Sequence, residues 1–173
     1  VIRRRLFEDG GSEEDHRKVA EAYWQMYQKL GEDVPSLCRE PGYRDSLVAA
    51  YPFHPELVSV LYERWGTIPT FQRTRGVLKL LADCISDLYQ NKNNDPLIQS
   101  SSINIGASAV RGELVKHTGH GNVFLSVIDS DISGKNAKAP EIDRQLGSEY
   151  AKESVAEKIA RSCFMYSFSG GQQ

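Results

Sequence analysis

Two arginines two positions apart, Arg73 and Arg75, open the apolar-faced pattern Phe71-Gln-Arg-Thr-Arg-Gly-Val-Leu-Lys-Leu-Leu81. A guanidinium is always charged and presents a fork of N–H donors that suits phosphate oxygens. On a lid helix such a side chain can reach the phosphates of a nucleotide held elsewhere and report their presence. The plain alternative is a solvated arginine, or one paired with a nearby carboxylate, since charged helix residues are mostly at the surface.

Other groups with chemistry are more weakly placed. His117-Thr-Gly-His120 has the separation of two metal ligands but straddles a glycine, with no further Cys or His nearby, so no metal is expected. His54 lies between Pro52 and Pro55 in Tyr51-Pro-Phe-His-Pro55 and is expected to pack or cap. No Gly-x-x-x-x-Gly-Lys-Ser/Thr occurs, and Ser133-Gly-Lys-Asn136 lacks both the first glycine and the hydroxyl needed at magnesium. Val123-Phe-Leu-Ser-Val-Ile-Asp129 imitates the apolar strand and acid of a magnesium site. Without a phosphate loop upstream, Asp129 and Asp131 read as the end of a helix or strand. Arg3-Arg4-Arg5 could touch phosphates, although such runs are more often a solvated face. Nothing ties together a Ser–His–Asp or Cys–His set.

These residues need helices to position them. Ser12 before Glu13, Glu14 and Asp15 is an N-cap with an acidic first turn. Val19, Ala22, Tyr23, Met26, Tyr27 and Leu30 then mark an amphipathic helix that ends at Gly31. A short helix is expected from about 44 to 50. Another begins near Pro55, with Leu57, Val58, Leu61 and Trp65 inward and Gly66 as its stop. The helix carrying Arg73 and Arg75 runs from about 71 to 89, with Val77, Leu78, Leu81, Ile85 and Leu88 facing the core. Asn91-Lys-Asn-Asn-Asp-Pro96 is polar and turn-rich, the best boundary in the chain. Beyond it, 97–105 reads as extended or loop, 107–117 as helix, 123–128 as helix or buried strand, and 134–140 as loop. A last helix starts near 141 or 148 and runs to 166, with Tyr150, Val155, Ile159, Cys163 and Tyr166 inward. The fold expected is mainly α-helical: a helical bundle over 1–93, then a second helical segment over 94–173.

Length, 173 residues, suffices for one domain or two small ones, and the composition is that of a globular protein. A formal net charge of -2 argues against a polyanion-binding domain, although it leaves room for a local patch. No apolar run is long enough to span a membrane. Cys38, Cys84 and Cys163 are unpaired in spacing and read as reduced, buried thiols of a cytoplasmic protein. The chain starts at Val1 and stops at Ser169-Gly-Gly-Gln-Gln173 after a helical pattern, so it reads as a piece of something longer.

Tyr51-Pro-Phe-His-Pro-Glu-Leu57, a Trp-ended helix and then Phe71 to Leu81 resemble a family of large bacterial and archaeal AAA-type ATPases, filed as domain of unknown function 499. The stretches Val127-Ile-Asp-Ser-Asp-Ile-Ser-Gly134, Glu141-Ile-Asp143 and Phe164-Met-Tyr-Ser-Phe-Ser-Gly170 are similar to the segment after the lid in that family. The resemblance implies that 1–93 is chiefly the helical lid of an AAA-type module. It also implies a parent that uses ATP with magnesium, neither of which is expected in this piece because the phosphate loop is missing. Lids of this type carry a sensor-2 arginine in Pro-Arg-x-Leu-x-x-Leu-Leu, to which Thr74-Arg-Gly-Val-Leu-Lys-Leu-Leu81 is similar, with Arg75 in that place. Thr74 stands where proline is common, and this leaves Arg73 as a rival. Trp65 and Phe71 are expected to pack the lid.

The expected partner is the rest of the ATPase chain, with a second copy or another protein as further candidates. Two other functions compete. One is a non-enzymatic helical module for protein interaction. The other is a nucleic-acid-binding domain using the amino-terminal arginines and the helix pair of 105–128, although Asn122 to Ile128 holds no basic residue to meet a phosphate.

Overall fold

The computed structural model describes residues 2–71, 73–117 and 121–168, with only the backbone described at 73, 121 and 122. The fold is mainly α, as the sequence implies. The described residues form ten α-helices and no strand. They divide into two compact units, 1–58 with 94–98, and 59–93 with 99–173. The turn-rich boundary at 93/94 is therefore one of three places where the chain passes between units.

The first unit begins with α1 (Ile2–Leu6) and α2 (Glu13–Leu30). The Ser12 hydroxyl accepts the Asp15 N–H at 3.0 Å, and the acidic residues of the first turn favour the positive end of the helix. Gly31 ends α2 with a positive φ of 58°. α3 (Pro41–Ala50) starts earlier than the periodicity suggests, because Pro41 fits the first turn, where no N–H is needed. α2 and α3 bury Ala20, Tyr27, Tyr43 and Leu47 together with Leu97, and Val19, Tyr23 and Trp24 pack around them. Met26 and Leu30 are instead exposed, so the inward stripe is narrower than expected. Residues 94–98 join this unit by a parallel bridge between Phe53 and Ile98, in which the Ile98 N–H donates to the Pro52 carbonyl at 2.8 Å.

α4 (Pro55–Ser59) leads out of the first unit and widens into a π-helical turn at Val60–Arg64, closed by a short 3-10 turn at Trp65–Thr67. In the second unit, α5 (Arg73–Gln90) buries Val77, Leu80, Leu81 and Cys84. Leu78, Ile85 and Leu88 are only half-buried, so the core face is turned slightly from the expected one. α6 (Ser108–Lys116) and α7 (Gly121–Val127) come next, and a second π-helical turn spans Ile128–Ile132. The 123–128 run is thus helical, with Val123 and Val127 exposed.

The C-terminal expectation needs the largest correction. Three helices, α8 (Lys138–Leu146), α9 (Ser148–Glu153) and α10 (Val155–Tyr166), replace one. Gly147, at φ 121°, separates the first two, and Ser154 in the left-handed region separates the last two. Pro140 falls in the first turn of α8 rather than in a loop. Buried Asp143 on α8 accepts the N–H groups of Ala156 and Glu157 at 2.7 and 3.1 Å and so caps α10 in place of a local N-cap. The buried residues of α10 are Phe164 and Met165, whereas Tyr150, Ile159, Cys163 and Tyr166 are exposed.

Candidate functional site

Arg75 lies in the first turns of α5 with its side chain exposed. It lines a cavity of about 380 Å³ with Lys79, Glu113, Lys116 and His117. Helical spacing explains the grouping. Arg75 and Lys79 are four apart on α5, and Glu113 stands three and four residues before Lys116 and His117 at the end of α6, so each set shares a face. Thr70 and Phe71 complete the wall. The Thr70 hydroxyl donates to the His117 carbonyl at 3.1 Å, and the Phe71 ring meets the imidazole edge-on at 5.2 Å.

Gly76 belongs to the same construction. A Cβ there would lie 1.9 Å from the Phe71 carbonyl oxygen, so the residue after Arg75 cannot carry a side chain without moving the backbone.

Glu113 organises the cavity. It is 4% exposed and its carboxylate is fully engaged. Oε2 faces Lys79 Nζ at 2.7 Å, Lys116 Nζ donates to Oε1 and Oε2 at 2.9 and 2.7 Å, and His117 Nε2 lies 3.1 Å from Oε1. Burial pushes the Glu113 carboxyl up, but the hydrogen bonds from Lys116, Lys79 and His117 outweigh it and hold the group at about 2. Lys79 is raised in turn, by its hydrogen bonds to Glu113 and Asp83. Because an ionised carboxylate only accepts, His117 Nε2 must carry the hydrogen. His117 Nδ1 is buried without a partner among the described residues.

Arg75 makes no ion pair among the described residues. Arg73 begins α5, but its side chain is outside the described part, so the rivalry between the two arginines stays open. Only His117 of the His117/His120 pair is described, and it is held by Glu113. Among the described residues no group of His, Cys, Asp and Glu is placed to hold a metal.

Asp129, Trp65, His54 and Arg3 have structural partners. Asp129 forms a bidentate pair with Arg111 at 2.6 and 2.7 Å. Trp65 and Phe71 are fully buried with ring centroids 5.9 Å apart, and the Trp65 indole N–H donates to the Met165 carbonyl at 3.1 Å. His54 is packed against tyrosines, with its Nε2 2.8 Å from the Tyr27 hydroxyl. Arg3 reaches His16 Nδ1 at 3.2 Å and the Tyr51 carbonyl at 3.4 Å, which leaves Arg4 and Arg5 as the exposed members of that run.

A family model described as the DUF499 second domain matches residues 1–172. The chain belongs to the DUF499 family. Searches of curated proteins and of solved structures find no match. Sequence reasoning does not single out Glu113, Lys116 and His117 as a set. The Glu-x-x-Lys-His spacing beside the buried Val110 and Leu114 is the signal that could have found them.

Proposed function

We propose that this DUF499 domain is the nucleotide-responsive helical part of an AAA-type ATPase, with Arg75 meeting the terminal phosphate of a nucleotide bound elsewhere in the parent protein. The observation that carries this reading is the exposed Arg75 guanidinium, without an ion pair among the described residues, beside a cavity that also presents Lys79 and Lys116. A guanidinium in that setting is ready for a phosphate rather than neutralised by a carboxylate. ATP and magnesium belong to the parent in this reading. The 173 residues contain no phosphate-binding loop and should not hydrolyse ATP unaided.

The test is Arg75→Ala in the full-length protein. ATP turnover should fall by at least about tenfold, as expected for loss of a phosphate-facing arginine, while the thermal midpoint moves by only a degree or so. Unchanged turnover in that variant refutes the assignment.

A protein-interaction role has one observation of its own: Ile159, Cys163 and Tyr166 form an exposed stripe along α10. A parent with no phosphate-binding loop would favour that role over the ATPase.

A further inference from the structure

The geometry points to the cavity itself as a binding site for phosphate oxyanions, formed by Arg75, Lys79 and Lys116 within this domain. The proposal shares Arg75 with the function proposed above, but it requires no nucleotide held by another part of the protein.

Donor arithmetic carries it. An ammonium has three N–H groups. Lys79 directs one to Glu113 and one to Asp83, which leaves one. Lys116 directs two to the Glu113 oxygens, which leaves one. Counted among the described residues, as the two lysines are, Arg75 has its whole fork to offer. The Glu113 carboxylate, by contrast, already accepts from Lys79, from Lys116 at both oxygens and from His117, filling the roughly four acceptor positions of such a group. It has no capacity left to act as a base toward a ligand or to bind a cation there. The charged groups of the cavity therefore present donors and no acceptor.

Charge and size agree with that chemistry. Arg75, Lys79 and Lys116 against Glu113 and Asp83 leave a net positive charge. The first turn of α5 adds the positive end of its helix. Glu113 holds both ammonium groups in place from beneath, so a ligand meets donors already positioned rather than having to order free lysines. A cavity of about 380 Å³ has room for a phosphate or a short phosphate chain, and its mouth opens to solvent beside Arg75. The ligand is thus a phosphate oxyanion of two or more negative charges, from free phosphate and pyrophosphate or from the tail of a nucleotide.

The experiment is a nitrogen-15 chemical-shift titration of the chain with inorganic phosphate, pyrophosphate and ATP, each without magnesium. Saturable shifts are expected at residues 70–79 and 113–117. Arg75→Gln, which breaks no ion pair among the described residues, should weaken binding about fivefold or more. Lys116→Gln should do likewise, with a thermal melt to confirm that it folds. Lys152→Gln, on exposed α9, should leave affinity unchanged within about twofold. Tighter binding of ATP than of pyrophosphate assigns the site to a nucleotide tail; equal or weaker binding assigns it to free phosphates. Absence of saturable shifts with all three probes overturns the proposal, as does an equal loss in Arg75→Gln and Lys152→Gln. Binding by the chain with normal turnover of Arg75→Ala in the parent would leave this site standing and remove the ATPase reading. No binding with lost turnover would do the reverse.

Discussion

The first unit buries His16 and His54 and the second buries His117, and His54 and His117 are handled by opposite chemistry. In the first unit His54 is enclosed by Tyr23, Tyr27 and Tyr43. Its Nδ1 accepts the backbone N–H of Glu56 at 3.2 Å, so the hydrogen sits on Nε2 and is directed to the Tyr27 hydroxyl at 2.8 Å. Burial lowers the His54 pKa, partly opposed by the Glu56 charge, and the ring is kept neutral. In the second unit His117 shares a carboxylate with two lysines. An aromatic box needs only its hydrogen bonds satisfied. An ionic cluster under a cavity keeps charge available at a surface, and that is why the second unit, rather than the first, is the candidate for anion chemistry.

Removing the cations from the second unit should have the largest effect. Lys79→Ala with Lys116→Ala leaves the buried Glu113 carboxylate with His117 alone and should cost about 3 kcal/mol by chemical denaturation. A loss under about 1 kcal/mol would mean that the ionic cluster is ornamental and the contrast with the aromatic box is empty. The smaller effect belongs to the first unit. Tyr27→Phe keeps the ring packing and strands the Nε2 hydrogen of His54, which should cost about 1–2 kcal/mol.

The subtlest effect separates the two histidine environments by pH. His54 binds a proton less readily folded than unfolded, so its contribution falls as pH drops through the unfolded value near 6.5. Glu113 has the depressed carboxylate pKa, so its contribution is complete above the unfolded value near 4.5 and is lost as pH falls toward about 2. Denaturation midpoints measured from pH 7.5 to 2.5 should show two declines. Replacing His54 by Phe should flatten the upper one alone, and Glu113→Gln the lower one alone.

How much of the molecule is legible in its residues depends on how local each signal is. Ser12 and Gly31 bracket α2 by short-range hydrogen bonding, and both ends stand where the residues put them. Arg75 is visible because its neighbours form an apolar-faced helix with a family resemblance. Its cavity partners on α6 lie more than thirty residues later, and Glu113, Lys116 and His117 look in sequence like the solvated side of an ordinary helix. Only tertiary contact makes them a set. The α10 face differs from its periodicity for a related reason. Val155, Ile159, Cys163 and Tyr166 repeat at helical spacing, but so do residues one position away, and packing selects Phe164 and Met165. Nor does spacing reveal that Asp143, far back on α8, supplies the cap for α10 and thereby ends the single long helix.

The return of residues 94–98 to the first unit has a consequence for the order of events during synthesis. Leu97 is 1% exposed in the α2–α3 core, and Ile98 takes part in two backbone hydrogen bonds, to Pro52 and from His54. A nascent chain that has emerged only to residue 58 therefore lacks the piece that closes its own core. The ribosome must deliver all of α5 before the first unit can be completed. An expression boundary drawn at the inviting turn near residue 93 would remove that piece and leave a hole where Leu97 belongs.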